Sequence, residues 1–133
     1  MEQSLVFIKP DGVQRGLIGE VIKRFEQRGI KVLKLELKTL TEQQVETHYQ
    51  EHIDKPFFPN LKQYILSGPI AIMVLEAENV ISIIRKMVGV TNAAEAAPGT
   101  IRGDFALTTQ QNIIHASDSP SSAQREIANF FAN

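Results

Sequence analysis

The sequence contains no cysteine. Disulfides, cysteine-based zinc sites and thiolate catalysis are therefore excluded. Positive charge is not in excess either: 14 Lys and Arg face 15 Asp and Glu, for a net charge of −1. Proteins that draw their affinity from phosphate backbones need clustered cations, so no specific nucleic-acid partner is expected, although a local basic pocket stays open. Long hydrophobic runs are missing as well. The longest aliphatic block, Ile70 to Leu75, falls far short of a bilayer span, and no membrane association is expected. The opening MEQSLVFIKPDG carries an acidic residue and too short an apolar run for a signal peptide. A cytoplasmic protein is the default expectation. No phosphate-binding P-loop motif occurs, and the glycines of DGVQRGLIG do not follow dinucleotide-binding spacing.

What is present is an ordinary globular composition. The 133 residues are 43% hydrophobic and 22% charged, enough to bury one core, and residues 1–133 read as a single domain. Ser4 to Lys9 reads as a short buried strand stopped by Pro10. Leu17, Ile18, Val21, Ile22 and Phe25 then recur three and four apart, the stripe of an amphipathic helix closed by Gly29. Ile30 to Lys38 alternates apolar and polar residues, apart from one doubled apolar step, and predicts a strand with one wet face. Thr41, Glu42 and Gln44 resemble a capping box opening a polar helix to about His52. A turn at DKPFF precedes a helix with Leu61, Tyr64 and Ile65 inward.

Pro69 to Ala77 is the most apolar segment and the best candidate for a central strand. Val80, Ile84 and Met87 or Val88 mark a helix ended by Gly89. A loop without period follows, then IRGDFAL (Ile101 to Leu107) as a further strand. Ser119 and Pro120 supply an N-cap and first-turn proline to a last helix with Ala123, Ile127 and Phe130 inward. With no repeat or linker to divide it, this order predicts an α+β domain of the ferredoxin-like, split βαβ type: a four-stranded antiparallel sheet covered by helices.

Candidate chemistry begins at NIIHASDS, where His115 sits between two aliphatics and a run of small polar residues. A lone histidine in such a place is ordinarily a hydrogen-bonded core residue. His48 and His52, four apart, have metal-ligand spacing on a helix, but no acidic third ligand accompanies them in sequence, so they read as exposed. The aromatic pair of KPFF could stack on RNA, yet it lies in a turn rather than on a strand. Lys9, Arg85, Thr91, Arg102 and Asn112 fall at the ends of elements. Taken singly they are solvated surface residues; together with a histidine they describe a pocket for several phosphates.

FIKPDGVQRGLIGEVIKRFEQRG, HY, KPFF, SGPI, PGTIRGDF and NIIHASDS together resemble the nucleoside diphosphate kinase family over essentially the whole chain. The resemblance implies transfer of the terminal phosphate of a nucleoside triphosphate, typically ATP, to a nucleoside diphosphate by a ping-pong route through phosphohistidine. On it, His115 is the nucleophile, Glu126 its orienting carboxylate, and Ser117 a further active-site hydroxyl. Lys9, Arg85, Thr91 and Arg102 match phosphate ligands and Tyr49 the tyrosine near the transferred group. Lys9 and Asn112 match the residues that hold the sugar hydroxyl. Phe57 and Leu61 match the base platform, with Thr109 facing it where the family has an aliphatic. A base platform without an edge-reading side chain implies broad base specificity. Mg2+ arrives with the nucleotide, Asp118 being its water-mediated contact, and no cage of protein ligands is implied. The resemblance also implies a homo-oligomer, a hexamer first, with tetramer or dimer as alternatives.

The chain departs from the family pattern in places. Ala116 stands where glycine is usual, which predicts an ordinary negative φ there. Ala93 replaces a loop proline, which bears on assembly. The chain stops at Asn133, so tail contacts of longer members are expected to be missing. Two other classes compete with the enzyme: a nucleotide-binding regulatory paralogue, disfavoured because His115, Lys9, Arg102, Asn112 and Glu126 are all present, and an RNA-binding ferredoxin-like domain, disfavoured by charge.

Overall fold

A computed structural model describes residues 1–131; the end of the chain at Asn133, and with it the expectation about tail contacts, lies outside the described residues. Four antiparallel strands form one sheet in the order β2-β3-β1-β4. They are β1 (Glu2–Ile8), β2 (Lys31–Lys38), β3 (Ile70–Ala77) and β4 (Ile114–Ala116). Seven helices surround them: α1 (Pro10–Gln14), α2 (Ile18–Gln27), α3 (Glu42–His48), α4 (Phe58–Ile65), α5 (Val80–Val88), α6 (Ile101–Phe105) and α7 (Pro120–Phe131).

The two central strands are apolar on both faces over Leu5–Ile8 and Ile70–Leu75, because both faces of the sheet are covered there. Val6 and Ile8 of β1, with Ala71, Met73 and Leu75 of β3, pack under α2 and α5. Leu5 and Phe7, with Ile70, Ile72 and Val74, face α3, α4 and Phe130 of α7. Burying each such side chain contributes about 1.5–3 kcal/mol. The helix starts follow local chemistry. Thr41 Oγ1 accepts the Gln44 N–H at 3.1 Å while Gln44 Oε1 accepts the Thr41 N–H at 3.0 Å, a complete capping box. Ser119 Oγ accepts the Ser122 N–H at 3.1 Å and caps α7.

The fold class agrees with expectation, and three local readings need correction. Ile101 to Leu107 is not a strand. Thr100 Oγ1 accepts the Gly103 N–H and starts helix α6, and Gly103 lies so close to the Ala97 carbonyl that a Cβ would collide with it. The fourth strand is instead Ile114–Ala116, whose residues pair with Val6, Phe7 and Ile8 of β1. The helix opened by Thr41 ends at His48 and gives way to a 3-10 turn over Gln50–His52. Strand β2 does not have one dry face. Leu35 and Leu37 pair with Met73 and Ala71 and so point to the α2 side, yet they are 49% and 63% exposed. Helix α2 covers only the beginning of this edge strand, and a register shift between Val32 and Lys34 marks where cover ends.

Candidate active site

The site grows from the junction between β1 and β4. Ile113 takes φ 76°, rare for a β-branched residue, in a three-residue turn closed by Ile114 N–H to the Asn112 carbonyl at 2.9 Å. The cost of such a conformation is on the order of 1–3 kcal/mol and must be met by the surroundings. Here Ile113 is fully buried and its carbonyl accepts the Lys9 N–H at 2.7 Å. Gly12 of α1 packs so tightly on this turn that a Cβ would lie 2.9 Å from Ile113 Cγ2 and 2.7 Å from Ile8 Cγ2. Ala116, by contrast, has no positive φ, as expected.

This turn delivers His115 to the β1 face that bears Phe7. The two rings stack at 4.9 Å with planes 24° apart, and His48 of α3 closes edge-on at 4.6 Å and 86°. His115 Nε2 meets Glu126 Oε1 of α7 at 3.1 Å. Ser117 Oγ donates to the same oxygen at 2.7 Å and accepts the Leu5 N–H at 3.0 Å, so the carboxylate is itself held. An acceptor at Nε2 keeps the proton of a neutral imidazole there, which leaves the Nδ1 lone pair toward the cleft that His115 lines.

That cleft, about 320 Å³, gathers positive side chains. Lys9 is buried, and its Nζ donates to Asn112 Oδ1 at 2.7 Å. Burial, then the charge of Arg102, push the Lys9 ammonium down to about 8. Arg102 donates to the carbonyls of Gly89 at 2.9 Å and Ile114 at 2.7 Å, while its buried Nε has no partner. Burial, then Arg85, lower the Arg102 guanidinium to about 10. Arg85 reaches the Ala116 carbonyl at 3.3 Å, and the Thr91 carbonyl accepts from Asn112 Nδ2 at 3.1 Å. Burial, then the Glu126 charge, raise the Tyr49 phenol. Asp118 stands on the cleft wall, its carboxyl lowered first by a hydrogen bond from Ser122.

A second, more apolar hollow of about 610 Å³ shares Lys9, Tyr49, Thr91 and Asn112 with the first. Phe57 and Leu61 line it on one side and Thr109 on another. Phe57 is half exposed while its neighbour Phe58 is buried, so KPFF does offer one ring to solvent and one to the core. Tyr64 donates a hydrogen bond to Asp11, tying α4 to α1 beside Lys9.

Each sequence-derived site residue lines one or both hollows, save Ser117, which touches the carboxylate behind His115. The reading of His48 as exposed is wrong. Its side chain is 4% exposed, pressed against Phe7, Phe130 and His115, because α3 packs its inner face on the sheet. His52, read with His48 as exposed, is half-buried and lines both hollows, and sequence reasoning passed over Arg125 of the first hollow and Asn60 of the second. The four-residue spacing of His48 and His52 was the one available signal. No helix among the described residues is long and apolar enough to cross a membrane.

Comparison with known proteins agrees with this geometry. The family model for nucleoside diphosphate kinase matches residues 2–133. A nucleoside diphosphate kinase of Archaeoglobus fulgidus is 54% identical over 133 residues, 100% of this chain and 88% of the relative. One from Halalkalibacterium halodurans is 56% identical over 131 residues, covering 98% and 89%. The solved structure of a halophilic nucleoside diphosphate kinase from Halobacterium salinarum in complex with CDP superposes with a TM-score of 0.96 at 44% identity, covering 99% of this chain and 88% of that one. With matches of this identity running the length of the chain, the protein belongs to the nucleoside diphosphate kinase family and is a nucleotide-binding kinase.

Proposed function

We propose that residues 1–133 act as one kinase domain that moves the terminal phosphate of a nucleoside triphosphate, typically ATP, to a nucleoside diphosphate in two half-reactions through a phosphohistidine at His115. The observation that carries this reading is the His115 Nε2 to Glu126 contact at 3.1 Å, in a cleft also lined by Lys9, Arg85 and Arg102. The Nδ1 lone pair attacks the γ-phosphorus, and the bond to the bridging oxygen breaks, leaving a diphosphate. Nε2 keeps its proton, so the ring becomes a phosphoimidazolium whose positive charge is met by Glu126. No separate base is needed, and the second half-reaction runs the same step backward onto another diphosphate.

Phosphoryl transfer asks little of acid–base chemistry and much of position and charge. Lys9, Arg85, Thr91 and Arg102 hold the phosphates, Tyr49 lies near the transferred group, and Asn112 with Lys9 holds the sugar hydroxyl. Ser117 positions Glu126. Removing one such donor costs on the order of 3–4 kcal/mol in the barrier. The substrate is the magnesium complex of the nucleotide. One cleft carboxylate beside several phosphates suits an ion that keeps most of its waters, and Asp118 is that carboxylate. Stacking on Phe57 and Leu61, with Thr109 opposite, favours any base by about 1–3 kcal/mol, which supports broad specificity. The Halobacterium salinarum relative holding CDP is in keeping with a pyrimidine in such a hollow.

The bare apolar face of β2, with Leu35 and Leu37 open, supports a homo-oligomer in which a second copy covers it. A hexamer is favoured over a tetramer or dimer, and the protein acts in the cytoplasm, apart from membranes and nucleic acid. Incubation with γ-labelled ATP should label the protein, and GDP or CDP should then discharge it; His115→Ala should abolish labelling. Label retained in that variant overturns the assignment.

A further inference from the structure

We propose that His48, His115 and Glu126 form a binding site for one borderline-soft divalent transition ion, Zn2+ or Cu2+, whose occupancy switches off the nucleophile. The inference rests on the reading of His115 above only for its effect on catalysis; the ion site itself stands on geometry.

His48 Nδ1 is buried and has no hydrogen-bond partner, although its side chain sits in the wall of a polar cleft. A buried polar atom left without a partner needs a reason. Glu126 Oε2 lies 3.9 Å from His48 Nδ1. That gap is too wide for a hydrogen bond. A tetrahedral ion bonded to both atoms at roughly 2.0–2.2 Å would hold them about 3.3–3.6 Å apart, so closing this gap by a few tenths of an ångström seats it. The other carboxylate oxygen, Oε1, lies 3.1 Å from His115 Nε2, and ligand atoms of all three residues lie within 4.8 Å of one another. Two imidazoles and a carboxylate around one point are the ligand set of a zinc ion.

The acid missing from the sequence neighbourhood of His48 and His52 is thus supplied by α7. Burial holds His48 uncharged, the form a metal needs. The surrounding charges select the ion. Lys9 and Arg125, which line the same cleft, disfavour added positive charge at His48. An ion held by hard oxygen contacts alone, such as Mg2+, gains too little there, whereas Zn2+ and Cu2+ form strong bonds to nitrogen.

Binding changes the tautomer of His115. The ion takes the Nε2 lone pair, and the proton that Nε2 had shared with Glu126 moves to Nδ1. No proton is released on balance, but the atom that would attack phosphorus now carries a hydrogen. Inhibition follows from the position of one proton rather than from blocking the nucleotide's path.

The test titrates the nucleotide-free protein with ZnCl2 by calorimetry, with His48→Gln and His48→Phe alongside. One Zn2+ per chain is expected. Both variants should weaken it by about a hundredfold, the top of the range for disturbing even an outer partner of a metal ligand, and excess Mg2+ should not displace it. On the unaltered protein, Cu2+ should give an electron paramagnetic resonance spectrum with two nitrogen ligands. Nitrogen-detected NMR should show the His115 proton move from Nε2 to Nδ1 on Zn2+ addition. Absence of stoichiometric binding, Zn2+ binding undiminished in both folded variants, or a Cu2+ spectrum with fewer than two nitrogens overturns the site. Zn2+ binding with an unchanged His115 tautomer overturns the switch. None of these readouts depends on phosphoryl transfer, so failure of the proposed kinase mechanism would be seen separately, in the labelling assay.

Discussion

Lys9 shows how one residue can be costly to the fold and useful to the site. Its ammonium is buried, and folding lowers it from 10.5 to about 8. Charging it in the folded protein therefore costs about 3 kcal/mol relative to the unfolded chain. That cost is fully present below pH 8. Between about 8 and 10.5 the unfolded chain still holds a proton that the folded one has released, so this group makes stability rise with pH across the window. Denaturant unfolding of the parent and Lys9→Met should show it: the variant's relative stability should fall by about 1–2 kcal/mol between pH ~7.5 and ~9.5. Activity should move the other way. On the proposed role of Lys9 in holding phosphate, free protein loses that charge above pH 8, so kcat/KM should decline there, with Lys9→Arg shifting the decline upward. At the same scale, His115 was legible in the sequence but its posture was not. The strained turn at Ile113 that aims it is invisible in composition, because isoleucine is a poor choice for positive φ and only tertiary packing enforces it.

Among the elements, α6 teaches the most. Its short, partly apolar sequence reads as a strand, but the Thr100 cap and Gly103 decide for helix. The consequence is functional, since α6 carries Arg102 to the Gly89 and Ile114 carbonyls and to the cleft. Thr100→Ala should lower stability by about 1 kcal/mol. That is a fall of roughly 3–6 °C in Tm for a domain of this size. It should also reduce kcat/KM, as Arg102 loses its footing; an unchanged kcat/KM in the destabilised protein would show that α6 is held by other contacts. Arg102→Lys should fare worse than a retained charge would imply, because an ammonium cannot reach two carbonyls with a fixed fork.

On the scale of the whole molecule, the sheet is complete on one side and open on the other. Edge strand β4 continues into the capped α7 beside the cleft, while edge strand β2 leaves Leu35 and Leu37 bare. An uncovered apolar edge invites pairing with another chain. Replacing both leucines by glutamate should reduce the mass seen by light scattering to a smaller assembly while leaving the monomer's circular dichroism intact. An unchanged mass would rule out this face as the proposed contact between copies.

The sequence by itself determined the long elements and the inventory of the candidate site. Helices α2, α5 and α7 and strands β1 and β3 span several turns or repeats, so a buried face leaves a readable period. The motif residues, once recognised as a set, led to Lys9, Arg85, Arg102, Asn112, His115 and Glu126 without coordinates. Tertiary structure alone decided the rest. A three-residue strand holds too few residues to show a period. Whether alternating leucines meet a helix or solvent depends on how far α2 reaches. And the burial of His48 against His115 and Glu126 joins side chains from α3, β4 and α7, which no local pattern connects, because contacts between distant segments are set by packing rather than by spacing.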